Sequence, residues 1–208
     1  GVVAKKGNSL SSLDLIGSEV SYGADLNQDG QIGLLPSGDR VDYGSGTTSL
    51  YAISGVGHGI FGDGSSYLTP LKTTKGAAWS GNPIGIKVDG VTGGYDLVLE
   101  TVGRKGTSYS EISVSSDGVV AKKGNSLSSL DLIGLEVSYG ADLNQDGQIG
   151  LLPSGNRVDY GSGTTSIYAI SGVGHGILGD GSSYLTPLKT TKGAAWVGNP
   201  IGIKAEGV

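Results

Sequence analysis

The stretch DLNQDGQIG, at residues 25–33 and again at 142–150, sets oxygen donors at alternate positions. Asp25, Asn27 and Asp29 carry side-chain oxygens, Gly30 permits a sharp turn, and the backbone carbonyl of Gln31 follows. The second set is Asp142, Asn144, Asp146 and Gln148. Oxygens at positions 1, 3, 5 and 7 of such a loop converge on one hard cation, and Ca²⁺ is the ion that takes this donor set. Two carboxylates held this close repel each other unless a cation lies between them, which gives the spacing a physical purpose. Ile32 is expected to anchor the loop to a core.

This is the first half of an EF-hand loop. The second half departs from it: position 12, where a bidentate Glu belongs, is Pro36 in one loop and Pro153 in the other. LLPSGDRVDYG reads as loop then strand, so no second helix follows and no helix-opening switch is expected. A carboxylate from elsewhere must complete the shell. Asp42/Asp159, Asp14/Asp131 and Glu19/Glu136 stand in both loops' surroundings, whereas Asp39 is replaced by Asn156. Lacking the bidentate ligand, the sites should bind Ca²⁺ in the ~10⁻⁴–10⁻³ M range of extracellular modules.

The elements that must position these oxygens are themselves duplicated. Residues 1–91 recur as 118–208, shifted by 117 positions, with only seven substitutions: Ser18/Leu135, Asp39/Asn156, Leu50/Ile167, Phe61/Leu178, Ser80/Val197, Val88/Ala205 and Asp89/Glu206. A period of domain size predicts units that each own a core, in tandem. One segment reads as helix, SLSSLDLIGSEVSYGADL (9–26), with Leu10, Leu13, Ile16 and Val20 at helical spacing and Ser9 as cap. RVDYGS (40–45), TSLYAIS (48–54), SYLTPLKTT (66–74) and IGIKV (84–88) read as short strands. YDLVLETVG (95–103) and TSYSEISVSS (107–116) form a meander with VVAKK (119–123), closed by the Asp117-Gly118 turn. Alternation puts Tyr95, Leu97 and Leu99 on one face, Val98 and Val102 on the other, and Ile112 with Val114. The expected fold is mostly β: tandem β-sandwich or meander modules, each with one short helix leading into the calcium loop.

Composition sets the limits. Forty Gly in 208 residues, against 2 Trp, 1 Phe and no Met, favour tight turns and short strands over long helices. A net charge of −5, with no basic run longer than a pair, excludes a nucleic-acid footprint. No apolar stretch approaches a membrane span of ~20 residues, so no membrane insertion is expected. Without Cys there are no disulfides or thiolate metal sites. With neither Met nor a full second unit, the sequence reads as part of a longer array.

The hairpin YDLVLETV…TSYSEISVSSDG, the amphipathic SSLDLIGSEVSYG segment and DLNQDGQIG together resemble the tryptophan-rich repeat domains of large secreted cyanobacterial and other bacterial proteins. The likeness covers residues 95–150 and departs at Leu99 and Ile112, where tryptophans would stand. It implies tandem modules of calcium-rich extracellular proteins, with no settled catalytic activity to carry over, that end after the acidic loop. On that phasing 1–33 is the tail of a preceding repeat, 34–150 one complete repeat and 151–208 the front of the next.

Other candidates have milder readings. His58 and His175, each in GVGHG, read as loop histidines; Trp79 and Trp196, in KGAAW, as core, with sugar-stacking platforms as the alternative. GDGSSY (62–67) and GVTGG (90–94) lack the helix and Lys of a phosphate loop and read as turns. No GxSxG elbow or paired acid and base points to an enzyme. The expected function is a structural tandem-repeat module of a large bacterial surface protein: adhesin stalk, surface layer or filament. Its partners would be neighbouring repeats of the same protein and further copies of itself. The alternative is a carbohydrate-binding module that gains glycan avidity by repetition.

Overall fold

A computed structural model describes residues 12–36, 38–153, 156–159, 164–170 and 174–203. Among these the chain is mostly β, with three antiparallel sheets and two short helices. It divides into two compact units: residues 1–42, 46–101 and 110–125 form unit 1, and residues 43–45, 102–109 and 126–208 form unit 2. Each unit groups a helix and its acidic loop with the strands that follow in sequence.

Unit 1 begins with α1 (Ser12–Tyr22), which buries Leu13 and Ile16. The predicted cap Ser9, and Leu10, lie outside the described residues. In the second copy the helix is α2 (Ser129–Tyr139) and its cap is Ser128, the equivalent of Ser11. The Ser128 Oγ accepts from the Asp131 N–H, and the Asp131 carboxylate accepts from the Ser128 N–H at 2.9 Å, a reciprocal capping box. Gly140 ends α2 at φ 58°, in the left-handed region that favours glycine.

After the loop, β1 (Ser49–Ile53), β2 (Gly57–Phe61) and β3 (Thr69–Pro70) pair in that order. β2 corrects the reading of GVGHG as loop, because His58 lies in a strand opposite Ala52. Gly59 serves there by its size. A Cβ on it would come within 2.8 Å of Ile53 and 3.1 Å of Leu68, so the glycine marks a close approach, not a turn.

RVDYGS, expected as a strand, makes only isolated bridges, Arg40 to Tyr51 and Gly44 to Ala141. The reason is Asp42, whose buried carboxylate accepts the Leu50 N–H at 2.6 Å where a ladder carbonyl would otherwise serve.

β4 (Pro83–Val88), β5 (Tyr95–Gly103), β6 (Gly106–Val114) and β7 (Asn125–Leu127) form the four-stranded sheet in sequence order. The turn expected at Asp117-Gly118 is present: Gly118 has φ 83° and donates to the Ser115 carbonyl at 2.9 Å. The chain returns through the Val114–Val120 bridge. Leu97, Ile112, Val114 and Val120 from this segment join Leu50, Ile60, Leu71 and Ile86 in one core cluster, with Trp79, Tyr95 and Leu99 packed against it. Val98 is buried as well, so both faces of β5 are covered near its start, whereas Val102 near its end is exposed.

Unit 2 repeats the three-stranded pattern with β8 (Ser166–Ile170), β9 (Gly174–Leu178) and β10 (Leu185–Pro187). The β8–β9 register, Tyr168 opposite Gly176, matches Tyr51 opposite Gly59.

Candidate functional site

The acidic loops are organised by a residue beneath them. Glu19 is fully buried near the end of α1; its Oε1 accepts from the N–H groups of Leu26 and Asn27 at 3.2 and 3.0 Å, and its Oε2 from Gly33 at 2.9 Å. One carboxylate thus ties both ends of the loop to the helix. Glu136 does the same in the second copy, accepting from Asn144 at 3.1 Å and Gly150 at 2.8 Å. Burial pushes the Glu136 carboxyl above its ordinary range; the Gly150 and Asn144 bonds oppose this, and the charges of Asp146 and Asp142 add to it.

The predicted ligands come together in each loop. Asp25 Oδ1 accepts from the Asp29 N–H at 3.2 Å and Oδ2 from Gly30 at 2.8 Å. Asn27 Oδ1 accepts from the Asp29 N–H at 2.9 Å, and Asp29 Oδ1 from Gln31 at 2.9 Å. Asn27 Nδ2 also donates to Asp29 Oδ2 at 2.9 Å. Asp142, Asn144, Asp146 and Gln148 repeat every one of these bonds within 0.1 Å. Gln28 and Gln145 take φ 62° and 59°, and they are the positive-φ non-glycine residues among those described. That left-handed kink lets successive N–H groups turn inward toward the acidic side chains.

The three candidates for a completing carboxylate separate clearly. Asp42 and Asp159 are committed to the Leu50 and Ile167 N–H groups and to Arg40 and Arg157, at 2.7 and 2.9 Å. Asp14 pairs with Lys72 at 3.6 Å, and Asp131 with Lys189 at 2.5 Å. Burial would raise Asp131, but bonds from Lys189 and Ser128 hold it at about 2. Glu19 and Glu136 reach the loops, but through backbone N–H groups. No group of three or more His, Cys, Asp or Glu suited to a metal occurs among the described residues. Ile32, expected as the apolar anchor, is 37 % exposed. The buried glutamate fixes the loop instead, together with Gly33, where a Cβ would meet Val20 at 2.6 Å and Tyr67 at 2.9 Å. A Glu six residues before the first loop Asp was the available signal in sequence.

The histidines have aromatic neighbours that sequence separation concealed. His58 meets the Trp79 ring edge-on at 5.9 Å and His175 meets Trp196 at 5.7 Å. Both Nδ1 atoms are buried without a hydrogen-bond partner. Burial lowers the His58 pKa against a bond to the Trp79 backbone, which keeps the ring neutral near pH 7. Gly81 makes room for the indole, since a Cβ there would lie 2.1 Å from the ring, and Gly57 makes room for the Trp79 carbonyl, which a Cβ would approach to 2.7 Å.

No helix among the described residues is long and apolar enough to cross a membrane. No protein-family model, curated protein or solved structure matches this chain.

Proposed function

We propose that the chain is a structural segment of a large extracellular bacterial surface protein, built from tandem 117-residue units that Ca²⁺ stiffens at their acidic loops. The carrying observation is the identical hydrogen-bond scaffold of the two loops, which orients Asp25, Asn27 and Asp29, and Asp142, Asn144 and Asp146, through the same backbone N–H groups. The donor set fits a hard cation. It is all oxygen, it carries two carboxylates per loop, and its backbone is held from below by a buried glutamate, so little ordering is left for the ion to drive. It also fits weak binding, because among the described residues the third acidic side chain at each loop, Glu19 or Glu136, is taken up by backbone N–H groups, which leaves water to fill the remaining positions. The ion supplies compensating charge; the chain supplies the fixed frame.

Repetition favours length and stiffness over catalysis, since near-identical units in series add reach. Both indoles are partly buried, Trp79 against the core and Trp196 along an apolar groove, which gives the glycan alternative no broad exposed ring.

Calorimetry of the full chain against Ca²⁺ tests the reading. Two sites with Kd of ~10⁻⁴–10⁻³ M are expected, one of them lost in Asp142→Ala, with a melting temperature that responds to chelator only while a site survives. Absence of heat at millimolar Ca²⁺ would refute the calcium strut.

A further inference from the structure

A groove of about 400 Å³ in unit 2 is lined by Ile167, Ile177, Leu188, Trp196, Pro200 and Ile203. Subtracting the repeat shift gives Leu50, Ile60, Leu71, Trp79, Pro83 and Ile86. In unit 1 all but Trp79 are buried, and the cluster they form includes Leu97, Ile112, Val114 and Val120 of the hairpin segment. The two faces share their chemistry, with Leu50/Ile167 the only substitution among these six pairs. Their cover differs. Ile84 is 2 % exposed and its equivalent Ile201 is 77 % exposed. Ile177, Leu188, Pro200 and Ile203 are each only partly buried where their equivalents are buried.

We infer that this groove is the docking site for a further copy of the hairpin 95–120. Lys72 shows how the edge would be met: in unit 1 its N–H donates to the Gly118 carbonyl and its carbonyl accepts from the Val120 N–H, both at 2.9 Å. The Lys72 ammonium lies 3.7 Å from Asp117 as well as 3.6 Å from Asp14. Lys189 keeps the bridge to Ala195 and the pair with Asp131, and the equivalents of Gly118, Val120 and Asp117 would arrive with the incoming hairpin. Main-chain bonds would give the hairpin its register and the apolar side chains its affinity. The chain's own hairpin is already in the core of unit 1 through Leu97, so the occupant is an additional copy, from a further repeat. The inference rests on the tandem-unit reading and not on calcium.

The test joins residues 92–120 after Val208, which occupies the position of Val91, so that the hairpin enters in the register it has in unit 1. Hydrogen exchange is measured in chelator. Amides of 166–178 and 185–203 should slow by at least about tenfold and the melting of unit 2 should rise by on the order of 10 °C. Ile201→Asp, at a surface position of the unextended chain, should leave that chain's melting unchanged and remove most of the gain in the extended one. Equal protection with and without the added hairpin, or a gain indifferent to Ile201→Asp, would overturn the inference. So would an unextended chain that sediments as a dimer with 166–203 protected, because a second copy of this chain would then fill the groove. A protein that binds no Ca²⁺ yet protects the groove on extension would fail the strut and leave the docking site standing.

Discussion

Tyr22 is 76 % exposed and Tyr139, the same residue one repeat later, is 4 % exposed. Ala141 and Leu143 are buried where Ala24 and Leu26 are exposed, whereas the strands show the opposite bias: residues 83–86 of β4 are buried and their equivalents at 200–203 are half-buried or exposed. Near-identical segments therefore bury opposite ends. What completes each end comes from outside the 91 repeated positions or from the other copy. The first copy's strands are closed by the hairpin 95–114, while the end of α2 is met by residues 43–45, with Gly44 bridging Ala141 and the Ser45 N–H donating to Gly140 at 3.4 Å. The repeated sequence specifies local conformation, and burial depends on which neighbours are present.

The largest expected effect separates the two sheets. Leu71→Ala empties a fully buried site and should cost about 3 kcal/mol, within the usual span for such truncations. Leu188→Ala, at a partly buried site, should cost about 1 kcal/mol. Denaturant unfolding with a probe in each unit reads both, and equal losses would break the comparison.

The second effect should be the same in both copies. Glu19→Ala and Glu136→Ala each leave buried loop N–H groups without an acceptor, at about 2–3 kcal/mol. If only one loop loosens in hydrogen exchange, the shared scaffold is not what fixes the loops.

The loops and helices were legible because their signals are local. Asp, Asn and Gly at alternate positions, and Leu13, Ile16 and Val20 at helical spacing, act within a few residues of chain, although the cap of α2 is Ser128, the equivalent of Ser11 and not of Ser9. β5, β6 and β4 were legible from alternation and β-branched content. β2 was not, because Gly59 and Gly57 look like turn residues, and only the tertiary neighbours Ile53, Leu68 and Trp79 reveal them as clearances. RVDYGS failed for a related reason: Asp42 replaces a ladder acceptor with a side chain, which strand periodicity does not register. The His58–Trp79 pairs were also beyond local reading, since the partners stand 21 positions apart. Spacing alone proposes the candidate ligands, whereas the role of Glu19 as a clamp on backbone N–H groups needed the fold.

A smaller effect is a pH dependence carried by α2. Asp131 titrates at about 2 in the folded chain against 3.8 ordinarily. A depressed carboxylate stabilises the fold above its unfolded pKa, and that contribution is lost as pH falls from about 4 through about 2. Asp131→Asn should therefore flatten the acid limb of unit 2 unfolding in that window while leaving unit 1 unchanged. An unaltered limb would show that the capping box and Lys189 contribute nothing measurable, as exposed ion pairs often do.

The smallest effect comes from one of the seven substitutions. Phe61 packs edge-on against Tyr51 at 6.3 Å and 82°, and the register explains why: Ser49 faces Phe61 and Tyr51 faces Gly59, so the two rings are diagonal neighbours on one face of the sheet. The same register in unit 2 sets Ser166 opposite Leu178 and Tyr168 opposite Gly176, so that Leu178 occupies the place of the ring. Phe61→Leu should cost about 1 kcal/mol, part of it from the lost ring contact and part from lost area. Leu178→Phe should return about half as much in unit 2, because the new ring gains Tyr168 as an edge-on partner but belongs to a unit whose apolar groove is still partly exposed. Should the reverse swap destabilise unit 2 instead, the two sheets do not offer the same space beside their tyrosines, and their equivalence holds for the backbone alone.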